Sequence, residues 1–308
     1  MKRAFRIAVW LAMLGMVWSA CLPVQAQAGE SCAAGSLLEA GIHQGTLEVA
    51  GQTRDYLLYT PPSLDLAQPV PVVFSLHGFT SNSLQQMGLT HWNDLADENG
   101  FLVVYPQGLG FPSRWNAGPV GNRRLGQADD VSFMRALADE MVRTRCADPA
   151  RLYVNGMSNG GGMAYRLACE AADVFAAFGG VAGAYSPLLD CNPSRPAPFL
   201  FFHGTADPLV PFEGGQGFPD IPAFAADYAG RIGCGEDTVP QPEQGSVSGV
   251  WYEDCNDGAE VGLIVIEDGG HTWPGGARLL RSILGETTQD ISASAALWAF
   301  YQAHALNE

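Results

Sequence analysis

Basic residues are scarce in this chain of 308 residues: 16 Lys and Arg stand against 32 Asp and Glu, which gives a formal net charge of −16. A surface with this excess of negative charge repels the phosphate backbone of nucleic acids and anionic lipid headgroups. We therefore expect no nucleic-acid partner. A neutral substrate meets no such repulsion.

The spacings typical of metal sites are also missing. The seven cysteines and six histidines contain neither a Cys-x-x-Cys nor a His-x-x-x-His pattern, so we predict no zinc site and no other metal or cofactor. No internal repeat or low-complexity tract is evident in the sequence either.

The N-terminal apolar run is short for a membrane span. It covers residues 7–22, which is 16 residues, whereas a membrane helix needs about 20. Three basic residues precede the run and Ala26-Gln27-Ala28 follows it, which is the order of a secretory signal peptide with its cleavage site. The basic residues are Lys2, Arg3 and Arg6.

We therefore predict a signal peptide over residues 1–28 and a single domain over residues 29–308, secreted to the periplasm or the medium without membrane insertion. An uncleaved anchor and lipid attachment at Cys21 stay open as alternatives. Removal of residues 1–28 takes away three basic and no acidic residues and leaves a net charge of −19.

The number of cysteines agrees with the predicted export of the protein. Loss of Cys21 leaves six cysteines, and an even number in an exported chain predicts up to three disulfides. We expect Cys234 to pair with Cys255, because both lie in one stretch rich in glycine and proline. Buried free thiols remain the alternative, since a chain of this size can bury a sufficient core without disulfides.

Apolar strands alternate with helical patterns along most of the chain. A hairpin over 46–59 is followed by predicted strands at 70–76, 101–105, 152–154, 175–181, 199–203 and 261–266. Predicted helices lie between or after them, at 83–99, 130–145, 161–170, 222–232 and 291–305. This alternation predicts an α/β fold with a mostly parallel sheet covered on both faces. We expect the Gly/Pro-rich stretches 106–127 and 234–250 to be loops that line a site.

A serine between two glycines follows the predicted strand 152–154, in the pentapeptide Gly156-Met157-Ser158-Asn159-Gly160. In an α/β-hydrolase such a strand-turn-helix holds a nucleophilic serine clear of the backbone. The pattern alone is weak in a chain with 37 glycines, so the serine needs a base and an acid elsewhere in the sequence.

Candidates for both partners follow Ser158 in the chain order of this fold, which is serine, acid, histidine. Asp207 lies just after the strand 199–203, and His271 lies just after the strand 261–266. We predict Ser158, Asp207 and His271 as the catalytic residues. His203 is the weaker candidate for the base because it precedes the acid.

The loop after strand 70–76 supplies candidates for an oxyanion hole. In this fold one backbone N–H comes from that loop and another from the residue after the nucleophile. We predict Phe79 and Asn159, with Thr80 as the second choice in the loop. His77 precedes the serine, and we expect it to shape the loop.

Several motifs together resemble one family over about residues 45–305. They are Leu76-His77-Gly78-Phe79, Val103 to Gly108, Trp115-Asn116-Ala117-Gly118, Asp129-Asp130-Val131, Gly156 to Gly161, Met163 to Cys169, His203 to Asp207 and Gly270 to Gly275. The chain resembles the secreted poly(3-hydroxyalkanoate) depolymerases and feruloyl esterases, which are related to carbohydrate esterase family one. The resemblance implies an α/β-hydrolase with the triad Ser158, His271 and Asp207, acting on feruloyl or acetyl esters of plant polysaccharides or on hydroxyalkanoate oligoesters.

The sequence departs from the family where the site entrance is expected. Many relatives carry Cys where Phe79 stands, and a Cys pair where this chain has residues 119–121. We expect no polymer-binding module after the esterase region, and therefore expect soluble esters rather than an insoluble granule as substrates. Trp115, Trp273 and Phe79 are candidates for an aromatic wall that contacts the substrate, or for packing that stiffens the loops.

The predicted activity is a serine carboxylesterase that works through an acyl-enzyme. An acyltransferase with the same triad and a catalytically silent binding protein on the same fold are the alternatives. The oligomeric state and the natural acyl and alcohol groups are left open.

Overall fold

A computed structural model describes residues 39–64, 68–120, 123–124, 128–278 and 280–306. The predicted signal peptide, Cys21 and Cys32 lie outside the described residues. Strands are β1 Gly41–Val49, β2 Gln52–Thr60, β3 Val70–Leu76, β4 Leu102–Pro106, β5 Pro119–Val120, β6 Arg123–Arg124, β7 Ala147–Met157, β8 Ala177–Val181, β9 Phe199–Gly204, β10 Thr238–Gln244, β11 Val247–Tyr252 and β12 Val261–Ile266. Helices are α1 Ser83–Thr90, α2 Trp92–Asn99, α3 Asp130–Arg145, α4 Asn159–Glu170, α5 Ile221–Arg231, α6 Arg281–Leu284 and α7 Ala293–Gln302, with a 3₁₀ turn at Asn256–Gly258.

Ten strands form one sheet in the order β1-β2-β4-β3-β7-β8-β9-β12-β11-β10. The six strands from β4 to β12 in this order are parallel, and antiparallel strands flank them on both sides. Every residue of β3, β4, β8 and β9 is buried, as expected for parallel strands covered on both faces. The predicted mostly parallel sheet with a leading hairpin is confirmed.

Helices cover both faces of the sheet and enclose two hydrophobic cores. One core includes apolar side chains of α3, α4 and α5, and the other includes side chains of α1, α2 and α7. The carboxyl ends of the parallel strands all point to one edge of this layered structure. The loops that follow these strands therefore determine the chemistry at that edge.

Two predicted elements differ from the structure. The helix expected over 83–99 is interrupted at His91, which has a φ of 56° in the left-handed region. This residue separates α1 from α2. The prediction that 234–250 is a loop lining the site is wrong. Most of it forms β10 and β11, which pair antiparallel at the edge of the sheet.

Two disulfides join described residues. Cys234 pairs with Cys255, as predicted, and ties the end of α5 to the region after β11. Cys169 pairs with Cys191 and fixes the end of α4 to the segment before β9. None of the helices in the described part of the chain is both long and apolar enough to cross a membrane.

Candidate active site

Ser158 lies at the junction between β7 and α4, in an unusual backbone conformation with φ 55° and ψ −119°. Three backbone hydrogen bonds of 2.9 Å hold it there. Its N–H donates to the carbonyl of Val181, and its own carbonyl accepts from the N–H groups of Gly162 and Ala184. This is the tight strand-turn-helix expected of a nucleophile elbow, with the serine side chain partly exposed.

The glycines beside Ser158 are required by close backbone approach. A Cβ on Gly156 would lie 2.4 Å from the carbonyl carbon of Gly160, and a Cβ on Gly160 would lie 2.3 Å from the carbonyl oxygen of Leu76. Neither position has room for a side chain. The glycine pattern therefore has a steric cause in this fold.

Asp207 and His271 come together from two different loops. The Asp207 Oδ2 atom lies 2.8 Å from His271 Nδ1, and both side chains are buried. The other carboxylate oxygen, Oδ1, accepts the N–H groups of Leu209 and Val210 at 2.8 Å each. Asp207 is thus fixed by its own turn and directed at the imidazole of His271.

The two loops are also joined by a backbone hydrogen bond, in which the N–H of Ala206 donates to the carbonyl of Gly269 at 3.0 Å. The N–H of His271 is held separately, by the carbonyl of Leu284 in α6 at 2.6 Å. β9 and β12 are adjacent parallel strands, which explains why acid and histidine meet although 64 residues separate them.

The Phe79 loop lies against the serine. A Cβ on Gly78 would be 3.4 Å from the Cβ of Ser158. Among the hydrogen bonds of the described residues, neither the N–H of Phe79 nor that of Asn159 has an acceptor, whereas the N–H of Thr80 donates to Ser113 at 2.9 Å. Of the three predicted donors, the Thr80 amide is thus already bonded, whereas the described residues provide no acceptor for the amides of Phe79 and Asn159.

His77 is a buried part of this loop. Its Nδ1 contacts the carbonyl of Gly78 at 2.8 Å, and its Nε2 accepts the N–H of Gly108 at 3.0 Å. Burial lowers its pKa to about 4, against a smaller raising effect of the Gly78 carbonyl. A neutral ring that bridges two loops agrees with the predicted shaping role.

The two tryptophans predicted to contact substrate are buried. Trp115 donates its indole N–H to the His77 carbonyl at 2.9 Å, and Trp273 donates its own to Ser294 Oγ at 3.0 Å. Neither ring is at the surface of the site, so the predicted aromatic wall is not formed by them. Of the three candidates only Phe79 is exposed, at 41%.

The Asn159 side chain makes contacts that the sequence did not reveal. Its Oδ1 accepts the N–H of Trp115 at 2.7 Å and its Nδ2 donates to the Trp115 carbonyl at 3.1 Å. Asn159 therefore anchors the loop after β4. The predicted placement of part of 106–127 at the site is correct for this segment.

A second histidine reaches the acid. His203 Nε2 lies 3.5 Å from Asp207 Oδ2, a contact that sequence reasoning missed because His203 was considered only as a base. The four-residue spacing of the two side chains was the available signal. Within the described residues, no group of three or more His, Cys, Asp or Glu side chains is arranged to hold a metal ion.

Comparison with known proteins identifies the family. The model of the family described as Esterase PHB depolymerase matches residues 54–187. A relative named "Putative esterase NocK", from Nocardia uniformis subsp. tsuyamanensis, is 33% identical over 272 residues, which cover 80% of this chain and 78% of the relative. The chain belongs to the PHB depolymerase esterase family.

Two more known proteins are similar to this chain. Feruloyl esterase B from Piromyces equi is 31% identical over 236 residues, or 71% of this chain, although the match spans only 42% of that relative. The structure of an acetyl xylan esterase from Aspergillus awamori superposes with a TM-score of 0.57 at 16% identity, covering 75% of this chain and 94% of the other. The esterase is a carboxylic ester hydrolase with the predicted α/β-hydrolase fold.

Proposed function

We propose that this esterase is a secreted serine carboxylesterase whose catalytic triad is Ser158, His271 and Asp207. The observation that carries the proposal is the 2.8 Å contact between His271 Nδ1 and Asp207 Oδ2. It lies at the same sheet edge as Ser158, because β7, β8, β9 and β12 are consecutive parallel strands. Nucleophile, base and acid follow three of these four strands.

In the acylation half of the reaction, the Ser158 hydroxyl attacks the ester carbonyl carbon while His271 Nε2 takes its proton. Asp207 keeps Nδ1 protonated and stabilises the imidazolium that forms. The carbonyl oxygen becomes an oxyanion, which accepts hydrogen bonds from the amides of Phe79 and Asn159. When the tetrahedral intermediate collapses, His271 returns the proton to the departing alcohol, and the acyl group remains on Ser158.

Deacylation repeats the sequence with water. His271 takes a proton from the water as it attacks the acyl carbon, the same amides bind the new oxyanion, and the proton returns to Ser158 as the acid departs. Every proton moves between the ester, the water and these side chains. The residues of this chain therefore supply a complete path for ester hydrolysis.

Feruloyl and acetyl esters of plant polysaccharides, or hydroxyalkanoate oligoesters, are the proposed substrates. The ring of Phe79 favours substrates with an apolar or aromatic acyl group, because it is exposed beside the proposed oxyanion hole and can pack against such a group. The feruloyl esterase from Piromyces equi is consistent with this class.

Export is supported by two kinds of feature. The disulfides Cys169–Cys191 and Cys234–Cys255 are of a kind that persists in oxidising compartments. The N-terminal sequence has the order of a signal peptide. We propose that residues 1–28 are removed and that residues 29–308 form the single catalytic domain.

Replacing the nucleophile tests the proposal. In Ser158→Ala we expect kcat for methyl ferulate and p-nitrophenyl acetate to fall by about 10³-fold or more, because removal of a triad serine leaves only binding and the oxyanion hole. Ser63→Ala is the control, since Ser63 is exposed and its hydroxyl donates to the carbonyl of Asp97. Full turnover by a folded Ser158→Ala variant would contradict the assignment.

A further inference from the structure

His203 is a buried histidine that the reaction described above does not use. Its side chain has no accessible surface, nor has that of Asp207. It lies at the end of β9, only four residues before the acid. Burying an imidazole costs free energy unless its polar atoms are satisfied, so its contacts indicate what it does there.

The contacts of His203 converge on the turn that holds Asp207. Its Nε2 is 2.9 Å from the carbonyl oxygen of Val210 and 3.5 Å from Asp207 Oδ2. Val210 also donates its N–H to Asp207 Oδ1 at 2.8 Å. Both backbone polar groups of Val210 are therefore bonded, the N–H by Asp207 and the carbonyl by His203.

The tautomer of His203 follows from these partners. A carbonyl oxygen accepts only, so Nε2 carries the hydrogen and donates to Val210. The other ring nitrogen, Nδ1, is buried and has no hydrogen-bond partner in the described part of the chain. Burial lowers the pKa of His203, outweighing the raising effects of Val210 and Asp207. The ring is thus a neutral donor that does not compensate the negative charge that Asp207 offers to His271.

We propose that His203 is a positioning residue for the catalytic acid: by holding the Val210 carbonyl, it fixes the 207–210 turn and directs Asp207 Oδ2 at His271 Nδ1. This inference rests on the proposed triad. Its link to the sheet is direct, because residue 203 of β9 pairs with Val265 of β12. The position of Asp207 is therefore fixed relative to β9 and β12, the two strands whose loops carry Asp207 and His271.

Two amide substitutions separate positioning from simple packing. The amide nitrogen of Gln reaches about the position of Nε2, and that of Asn reaches only the position of Nδ1. His203→Gln keeps the donor to Val210 and His203→Asn loses it, while both keep a polar side chain of similar size. We expect kcat for methyl ferulate to fall by about 10- to 100-fold in His203→Asn, as for a small misplacement of a catalytic group, with KM little changed. His203→Gln should stay within about 3-fold of the original enzyme.

A double-mutant cycle tests whether His203 acts through the acid. In an Asp207→Asn background, His203→Asn should cause no further loss in the rate of fluorophosphonate labelling of Ser158, because the acid that it positions is already disabled. Melting temperatures of all variants show whether each is folded.

Three results would overturn the inference: equal kcat for the original enzyme and His203→Asn, equal losses in the Asn and Gln variants, or independent effects of the two sites in the cycle. Any of these, combined with an inactive Ser158→Ala variant, would leave the proposed triad intact and remove only the role of His203. An active Ser158→Ala variant would instead remove the proposed function itself.

Discussion

Ser158 occupies a backbone conformation that non-glycine residues rarely adopt, and such conformations cost about 1–3 kcal/mol each. Here the cost is offset by the three backbone hydrogen bonds to Val181, Gly162 and Ala184. These bonds connect the turn to β8 and α4. The strain is therefore sustained by the surrounding fold, and it leaves the serine side chain partly exposed at the strand end.

The glycines beside Ser158 have no room for a side chain. Gly160→Ala places a methyl group 2.3 Å from the Leu76 carbonyl oxygen, a contact that only a shift of backbone can relieve. We expect a loss of several kcal/mol of stability and of most esterase activity, measured by urea unfolding and methyl ferulate turnover.

Gly230→Ala is the matched control, because this exposed glycine lies inside α5 and a Cβ there would contact nothing within 4 Å. It should raise stability by about 0.5–1 kcal/mol, since alanine favours the helix over glycine. Equal effects at the two glycines would contradict the steric account.

Elements with long apolar or periodic patterns were predictable from sequence. The predicted bounds of β3, α3 and β12 agree with the structure, because burial on both faces or on one helical face determines their composition. β10 was missed for a physical reason. Its prolines at 240 and 242 argue against a strand in general, yet an edge strand tolerates them.

The site could be predicted in part. Chain order and strand ends indicate which residues can meet, so the pairing of Asp207 with His271 was accessible. The contact of His203 with Asp207 has one local signal, which is their four-residue spacing. The contacts of His77 and Asn159 depend on the three-dimensional placement of loops, which no local pattern in the sequence records, and burial of Trp115 likewise required the structure.

Two adjacent aspartates, Asp129 and Asp130, lie at the start of α3 and have different contacts. Asp129 caps the helix and accepts the N–H of Ser132 at 3.0 Å. Asp130 is buried, binds Arg54 at 2.7 Å and accepts the N–H of Asn116 at 2.7 Å. It therefore links β2 and the loop after β4.

We expect Asp130→Asn to cost about 3–5 kcal/mol of unfolding free energy, because it leaves the Arg54 charge buried and unpaired. Asp129→Ala should cost about 1 kcal/mol, as for a lost helix cap. Urea unfolding measures both. Comparable losses in the two variants would mean that the buried ion pair does not organise this region.

At the scale of the whole molecule, stability should depend on pH through His77. Its pKa is lowered to about 4 in the folded protein, whereas an unfolded histidine titrates near 6.5. Below about pH 6.5 the unfolded chain binds a proton that the folded chain does not, so stability falls as pH decreases toward about 4. The difference corresponds to about 3 kcal/mol at most.

Unfolding free energies between pH 7 and pH 5 check this expectation. The His77→Gln variant should lose less stability over this range than the original protein, since it has one histidine fewer to protonate on unfolding. The carboxylates contribute equally to the pH dependence of stability in the original protein and in the variant. Identical pH slopes would contradict the neutral, buried state of His77.

We propose that Ser158 is the nucleophile of this esterase. Intact-protein and peptide mass spectrometry after treatment with a fluorophosphonate tests it most directly. We predict one adduct per chain, located on Ser158, absent from Ser158→Ala and formed much more slowly in His271→Ala. An adduct on another serine, or no adduct on a folded protein that still hydrolyses esters, would contradict the claim.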